Sequence, residues 1–259
     1  MLNSIDAANL KLIRAEEHIE AIRKHVASYT ASDPHERTLQ SNSKEKVSVS
    51  KSPPLEISIL AGEAVHQIRS TLDHLAFDLV NLNPSNIQLP ANWEENCLFP
   101  LWLNPAKKPA VYNCFSGKLP GISKRAFALI ESYQPYRGTP IGHVLGTLAE
   151  LSNVDKHRHL NLIKARLDVR EQISTLRGNY ASIRRIEDGA ELDPVADTWI
   201  DGCEPVQVER SVTSGVSFDE PGLKELTRYQ IPIQDVLQLI LEQVKKIIVP
   251  AFHELFDNP

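Results

Sequence analysis

The sequence has few cysteines and no long uninterrupted hydrophobic run. Its three cysteines, Cys97, Cys114 and Cys203, are an odd number without CxxC spacing, which fits neither a disulfide framework nor a thiolate zinc site. The most apolar stretch, Ile231 to Phe256, contains several charged residues, so it lacks the roughly 20 uncharged residues of a bilayer span. The N-terminus shows no secretory-signal pattern. We expect a soluble, cytoplasmic protein without membrane association.

Recognisable catalytic signatures are also missing. No phosphate-binding loop, zinc ribbon or nucleophile elbow occurs in the 259 residues. The net charge of −5 argues against indiscriminate binding of polyanions, which needs many lysine and arginine contacts to phosphate. The segment from Asn96 to Ile130 has no acidic residue, and its basic residues are Lys107, Lys108, Lys118, Lys124 and Arg125. This uneven distribution permits a local basic groove.

The hydrophobic pattern predicts a mainly helical α+β fold. With 42% hydrophobic and 24% charged residues, the chain has an ordinary globular composition. Apolar residues recur every seven positions from Ile5 to Val26, which is typical of a long bundle helix. Comparable stripes predict four long helices in all, at approximately 4–30, 54–82, 140–162 and 233–256. Pro250 is expected to kink the last of them.

The pattern changes between the helices. Residues 83–122 are rich in proline and asparagine and contain several aromatic residues, so we expect an ordered but irregular excursion there. The polar run from Ser41 to Ser52 is mostly loop by composition, with room for a short hairpin. Apolar and polar residues alternate within 163–218, which is typical of half-buried strands. We therefore expect one domain, 1–259, in which an antiparallel sheet is inserted before the last helix of a bundle.

The first candidate site lies on the second predicted helix, where Arg69, Asp73 and His74 are close in sequence. At about 100° per residue, Arg69 and Asp73 fall at the edge of the apolar stripe and His74 points almost opposite to it. Arg69 and Asp73 are spaced i and i+4, so they can pair with one another. His74 is then either an exposed histidine or part of a surface that meets another chain.

The second candidate is a polar run at the end of the third long helix, made of Asn153, Asp155, Lys156, His157, Arg158 and His159. Helical spacing puts Asp155 and His159 on the buried face and His157 on the opposite one. A buried carboxylate needs a partner, and Arg69 or His159 is the natural one. Asp155 and His159 also present two potential metal ligands on one helix face, although a hydrogen-bonded histidine is the commoner arrangement.

The spacing Arg69-x4-His74, on a helix of an apparent four-helix bundle, resembles the R-x4–6-H motif of the HEPN superfamily. Together with the run Asn153-x-Asp155-Lys156-His157-Arg158, it also resembles a group of uncharacterised bacterial proteins. The superfamily includes metal-independent ribonucleases, so the resemblance implies a bundle that cleaves RNA or binds a nucleotide. Ser70 follows the arginine in this chain, where many ribonuclease members carry a residue such as asparagine.

The resemblance implies roles for two residues. Arg69 would hold the scissile phosphate, and His74 would act as general base or acid for attack by a ribose 2′-hydroxyl. Members pair two such motifs across a dimer, so a homodimer is implied, with RNA or a nucleotide as ligand and with neither cofactor nor metal. Two alternatives stay open. One is a non-catalytic interaction or structural module with a buried Arg69–Asp155 pair, and the other is a metal-binding bundle that uses Asp155 and His159.

Overall fold

The chain folds into helices and short antiparallel strands. The computed structural model describes residues 4–82, 86–103, 117–157, 163–175, 178–194, 207–219 and 230–257. The helices are α1 (Ser4–Ala31), α2 (Leu55–Leu82), α3 (Trp93–Asn96), α4 (Lys124–Ser132), α5 (Pro140–His157), α6 (Ile233–Gln243) and α7 (Val249–Asp257). The strands are β1 (His35–Leu39), β2 (Glu45–Val49), β3 (Ile163–Thr175), β4 (Gly178–Ile186), β5 (Ala190–Leu192) and β6 (Gln207–Phe218). The predicted α+β class is confirmed. The prediction of a bundle of four long helices is wrong in its count, because the shorter helices α3 and α4 are added and the last predicted helix is divided into α6 and α7.

The contacts group into two compact units, where the sequence pattern predicts a single domain. The helical unit comprises Met1–Ile22, Ile59–Leu160 and Gln234–Pro259, and the sheet unit comprises Arg23–Ser58 and Asn161–Ile233. Helices α1 and α2 contribute residues to both units. The helix predicted over 140–162 is observed over Pro140–His157, and residues 158–162 lie outside the described part of the chain.

The helical unit is built on the predicted apolar stripes. On α1, the positions Ala8, Leu12, Ala15 and Ile19 are fully buried, so the seven-residue pattern marks the core face. On α2, the same holds for Ile68, Leu72 and Leu75. Helix α5 begins at Pro140, whose missing N–H costs nothing in the first turn of a helix.

The prediction of one inserted sheet is wrong in its count, because the structure has two three-stranded antiparallel sheets. The larger sheet has the order β4-β3-β6, and its pairing extends from Ile163 opposite Phe218 to Thr175 opposite Gly178. The smaller sheet has the order β1-β2-β5. Its strand β2 lies in the run from Ser41 to Ser52 that composition marks as mostly loop, and β1 lies just before that run.

Val47 explains why that segment forms a hairpin. Its side chain is fully buried and packs in one cluster with Leu167, Val169, Ile186 and Leu192. The serine and lysine residues around Val47 lower the average hydrophobicity of the segment, but a strand needs apolar side chains on one face only. The two sheets therefore share one hydrophobic core within the sheet unit.

The last helix departs from helical geometry before Pro250. The five residues Val244–Ile248 form a π-helical turn between α6 and α7. Proline lacks the N–H that would bond to the carbonyl four residues earlier, at Lys246, and the wider turn accommodates this loss. The expected disturbance at Pro250 is thus present as a π-turn within the last helix. No helix among the described residues is long and apolar enough to span a membrane.

Candidate functional site

Arg69 and Asp73 on α2 bind the backbone of a single residue, Phe99. The Arg69 Nη2 donates to Asp73 Oδ1 over 2.8 Å and to the Phe99 carbonyl over 2.5 Å. Asp73 Oδ1 in turn accepts the Phe99 backbone N–H at 2.9 Å. The pairing that the i, i+4 spacing allows is therefore present, and it satisfies both backbone polar groups of a residue in an extended segment.

The side chain of Gln134 binds the backbone of the residues that follow Phe99. Its side chain is fully buried between α4 and the 3-10 turn Pro135–Arg137. The Nε2 group donates to the Pro100 carbonyl at 2.8 Å, and Oε1 accepts the Trp102 backbone N–H at 3.1 Å. Nε2 also donates to the Ile130 carbonyl of α4 at 3.0 Å. We call residues 99–102 the clamped segment, and the side chains of Arg69, Asp73 and Gln134 together the clamp.

Gly142 allows the start of α5 to approach the backbone of Gln134 closely. A Cβ atom at Gly142 would lie 2.8 Å from the Gln134 backbone oxygen, a distance shorter than real Cβ contacts. The Gly142 N–H donates to the Thr139 hydroxyl at 3.1 Å, which caps the first turn of α5. The glycine is therefore needed for space at the start of this helix.

A cavity of about 420 Å³ opens beside His74, and its lining residues are Asp73, His74, Phe77, Asp78 and Cys97. We call it the His74 cavity. His74 itself is exposed, as its position on the helix predicts. Phe77 stacks on Trp93 of α3 with ring centroids 4.9 Å apart and planes inclined by 28°. Arg69 is not a lining residue, because its guanidinium is turned towards the clamped segment.

The surroundings of the His74 cavity change the acidity of its groups. Burial lowers the pKa of His74, with Lys11 acting in the same direction and Asp78 and Asp73 opposing it. Burial also raises the pKa of the Cys97 thiol to about 11, assisted by Asp73 and opposed by Lys118. The lowered pKa of His74 favours its uncharged imidazole. The raised pKa of Cys97 keeps its thiol protonated at neutral pH, and a protonated thiol is a poor nucleophile.

Burial of the Arg69 guanidinium disfavours its charged form. Only 12% of its side chain is exposed, and burial lowers the pKa of its guanidinium while Asp73 raises it. An arginine in this position is still charged, so its stability depends on Asp73 and on the Phe99 carbonyl. The Nη2 group makes both of these bonds, and the low exposure of the side chain leaves little of the guanidinium accessible to a phosphate.

Asp155 lies in a different cavity, and the predicted Arg69–Asp155 pair does not form. The residues lining this cavity of about 380 Å³ are His18, Ile59, Gly62, Glu63, His66, Gln67 and Asp155. His18 Nδ1 lies 3.3 Å from Glu63 Oε2. Arg69 takes Asp73 instead, because the carboxylate one turn away on its own helix is within direct reach. Asp155 is half-buried and forms no ion pair with another described residue.

The other members of the polar run are placed only in part. Asn153 is exposed on α5. Lys156 and His157 belong to the last turn of α5, and Arg158 and His159 lie outside the described residues. Where the chain is described, no group of three or more histidine, cysteine or acidic side chains is arranged to hold a metal ion.

The sequence patterns do not identify Gln134, although it is central to the clamped segment. A single glutamine between Tyr133 and Pro135 has no spacing partner, and its hydrogen bonds go to backbone atoms that leave no trace in residue type. The start of the 3-10 turn at Pro135 is the only local signal.

Comparisons with protein-family models, with curated protein sequences and with solved structures find no match to this chain.

Replacing Gln134 with methionine is expected to lower the free energy of unfolding by about 2–6 kcal/mol. The change keeps the side-chain length but leaves the Pro100 carbonyl and the Trp102 N–H without their partner, at about 1–3 kcal/mol for each buried group. Chemical denaturation followed by tryptophan fluorescence measures the loss. The matched control is Gln88→Met, at an exposed glutamine. Equal stability of the two variants would contradict the role assigned to Gln134.

Proposed function

We propose that the protein is a ligand-binding module and that the His74 cavity is its ligand site. The observation that carries the proposal is the engagement of Arg69 by Asp73 and the Phe99 carbonyl. An arginine used in this way supports a structural role rather than phosphate binding. Of the alternatives from the sequence, this favours the non-catalytic module, with Asp73 and Phe99 in place of Asp155 as the partners of Arg69.

The charges of the His74 cavity favour a ligand with a cationic group. Its lining includes the carboxylates of Asp73 and Asp78 and, among the described residues, neither lysine nor arginine. Arg69 compensates Asp73, while Asp78 forms no ion pair with a described residue. A phosphate in the cavity would meet these carboxylates, which repel it, whereas an ammonium group would be attracted.

The apolar wall of the cavity favours a ligand with a flat or aliphatic portion. Phe77 lines the cavity and is supported from behind by its stack on Trp93. An aromatic ring can pack against another ring or attract a cation over its face. The volume of about 420 Å³ lies in the range of small-molecule sites. We therefore propose an amine with an aromatic or aliphatic body as the ligand class.

A matched pair of probes tests the proposed ligand class. Benzylamine and benzyl phosphate share the same ring and differ in the sign of charge. We expect benzylamine to shift the imidazole NMR signal of His74 in the wild-type protein. We expect Asp78→Asn to weaken its binding about tenfold, since the substitution removes a lining carboxylate that forms no ion pair with a described residue. A response to benzyl phosphate without one to benzylamine would contradict the proposal.

A metal-independent ribonuclease is the second candidate. The specific observation in its favour is the lowered pKa of the exposed His74, because a neutral imidazole at neutral pH can accept a proton from a ribose hydroxyl. In this candidate function, Arg69 exchanges Asp73 for the scissile phosphate when RNA binds, and a second copy of the chain supplies the other half of the site.

Incubation with total RNA in EDTA distinguishes the two candidates. We expect the wild-type protein to leave RNA intact. We also expect Arg69→Ala to lower the free energy of unfolding by about 3 kcal/mol, because it leaves Asp73 and the Phe99 carbonyl without their donor. His74→Ala should have the stability of the wild type. Cleavage by the wild-type protein that is lost in a folded His74→Ala variant would establish the ribonuclease instead.

A further inference from the structure

The strand β4 is an outer strand with an open edge. In the sheet order β4-β3-β6, it pairs with β3 on one side, from Thr175 opposite Gly178 to Leu167 opposite Ile186. No other described strand pairs with its second side. An open edge carries a row of backbone N–H and C=O groups, and these are a template for pairing with another chain.

The side chains of β4 leave both faces of the strand in solvent. Residues 179–185 are all exposed, which includes positions on either face of the sheet because side chains alternate. Tyr180 is 61% exposed and Ile183 is 69% exposed. The core reaches β4 only at Ile186, which packs with Leu167 and Val169. Large apolar side chains on such a strand gain burial only if another molecule covers them.

The other outer strand of this sheet, β6, is more buried than β4. On β6, residues 214–218 are buried, and Ser217 forms an isolated bridge to Pro232. Arg210 on β6 pairs with Glu171 of β3 at 2.7 Å. Within this sheet and among the described residues, β4 is therefore the more exposed of the two outer strands.

We propose that β4 pairs with β4 of a second copy of this chain, antiparallel and about a two-fold axis at Ser182. Two-fold antiparallel pairing places one residue opposite its own copy. Ser182 is the midpoint of the nine residues of β4, so this register pairs every residue of the strand with one of the partner strand. The larger sheet of each copy, with the order β4-β3-β6, then joins that of the other copy to form one sheet of six strands.

The residues of β4 are self-complementary in this register. Arg184 lies opposite Tyr180 of the other copy, where a guanidinium can rest on an aromatic ring. Ile183 lies opposite Ala181, and Arg185 lies opposite Asn179. No arginine faces an arginine, whereas a register centred on Arg184 or Arg185 would place like charges directly opposite one another. The charges therefore exclude the registers centred on Arg184 and Arg185, and the pairing of all nine residues favours the register centred on Ser182.

This pairing is independent of the ligand proposed for the His74 cavity, and it uses the sheet unit only. It also differs from the dimer that the HEPN resemblance implies, in which the surface around His74 would meet its copy. The two dimers can be separated by placing a probe on β4 itself.

A cysteine at position 182 tests the proposed axis. Residues opposite each other in an antiparallel pair have Cα atoms about 4.5–5.5 Å apart, within the range for a disulfide. We expect Ser182→Cys to form a disulfide-linked dimer on mild oxidation, visible on a non-reducing gel. The matched control is Ser211→Cys, at an exposed serine of β6. The wild-type protein reports any linkage through its own cysteines, and the same or faster linkage in the control would overturn the proposal.

A change of charge at Tyr180 tests the register without oxidation. Tyr180→Arg places an arginine opposite Arg184 twice in each dimer, so we expect the dimer dissociation constant to rise at least about tenfold in sedimentation velocity. Tyr180→Phe keeps the ring and should dissociate like the wild type. Circular dichroism confirms that both variants are folded, since Tyr180 is exposed. A wild-type protein that stays monomeric at high concentration, or a dimer unaffected by Tyr180→Arg, would overturn the proposal.

Discussion

An extended backbone inside a helical unit must find hydrogen-bond partners, because helices use their own N–H and C=O groups internally. In this protein the partners are side chains. Arg69 and Asp73 bind both polar groups of Phe99, and Gln134 binds the Pro100 carbonyl and the Trp102 N–H. These side chains act on the clamped segment as a neighbouring strand would act on a sheet edge.

The clamped segment positions the buried Phe99 side chain and lies next to the wall of the His74 cavity. Phe99 is fully buried beneath the helices and packs against Phe252 of α7, with ring centroids 6.0 Å apart. Cys97, two residues earlier, forms part of the wall of the His74 cavity. Asp73 takes part in both places, since it accepts the Phe99 N–H and lines the cavity. The proposed ligand site is therefore a consequence of the clamp, and a change in Asp73 would affect both.

The sequence predicts interactions between residues that are close together in the chain. The seven-residue pattern of α1 and the stripe on α2 identified the core faces, because helical geometry relates residues three and four apart. The same geometry predicted the Arg69–Asp73 pair and the exposure of His74. The sequence leaves room for a short hairpin around Val47 but favours a loop, because the burial of Val47 depends on Leu167 and Ile186, which are far away in sequence.

In the candidate site, too, the sequence predicts contacts within one helix but not contacts between helices. Helical spacing puts Asp155 on a buried face and so predicts a partner for it, with Arg69 or His159 as the candidates. The structure instead places Asp155 beside His66 and His18, since pairing between helices depends on their packing and not on spacing within either helix. Gln134 could not be found at all, because its partners are backbone groups that every sequence contains.

Hydrogen exchange at two backbone amides tests the clamp most directly. The N–H groups of Phe99 and Trp102 lie outside any helix or strand, and they bind Asp73 and Gln134. If the clamp holds the segment as described, native-state exchange of both amides is as slow as that of the buried core helices and quickens only on global unfolding. Exchange as fast as that of an exposed loop would show that the segment opens independently and would contradict the account.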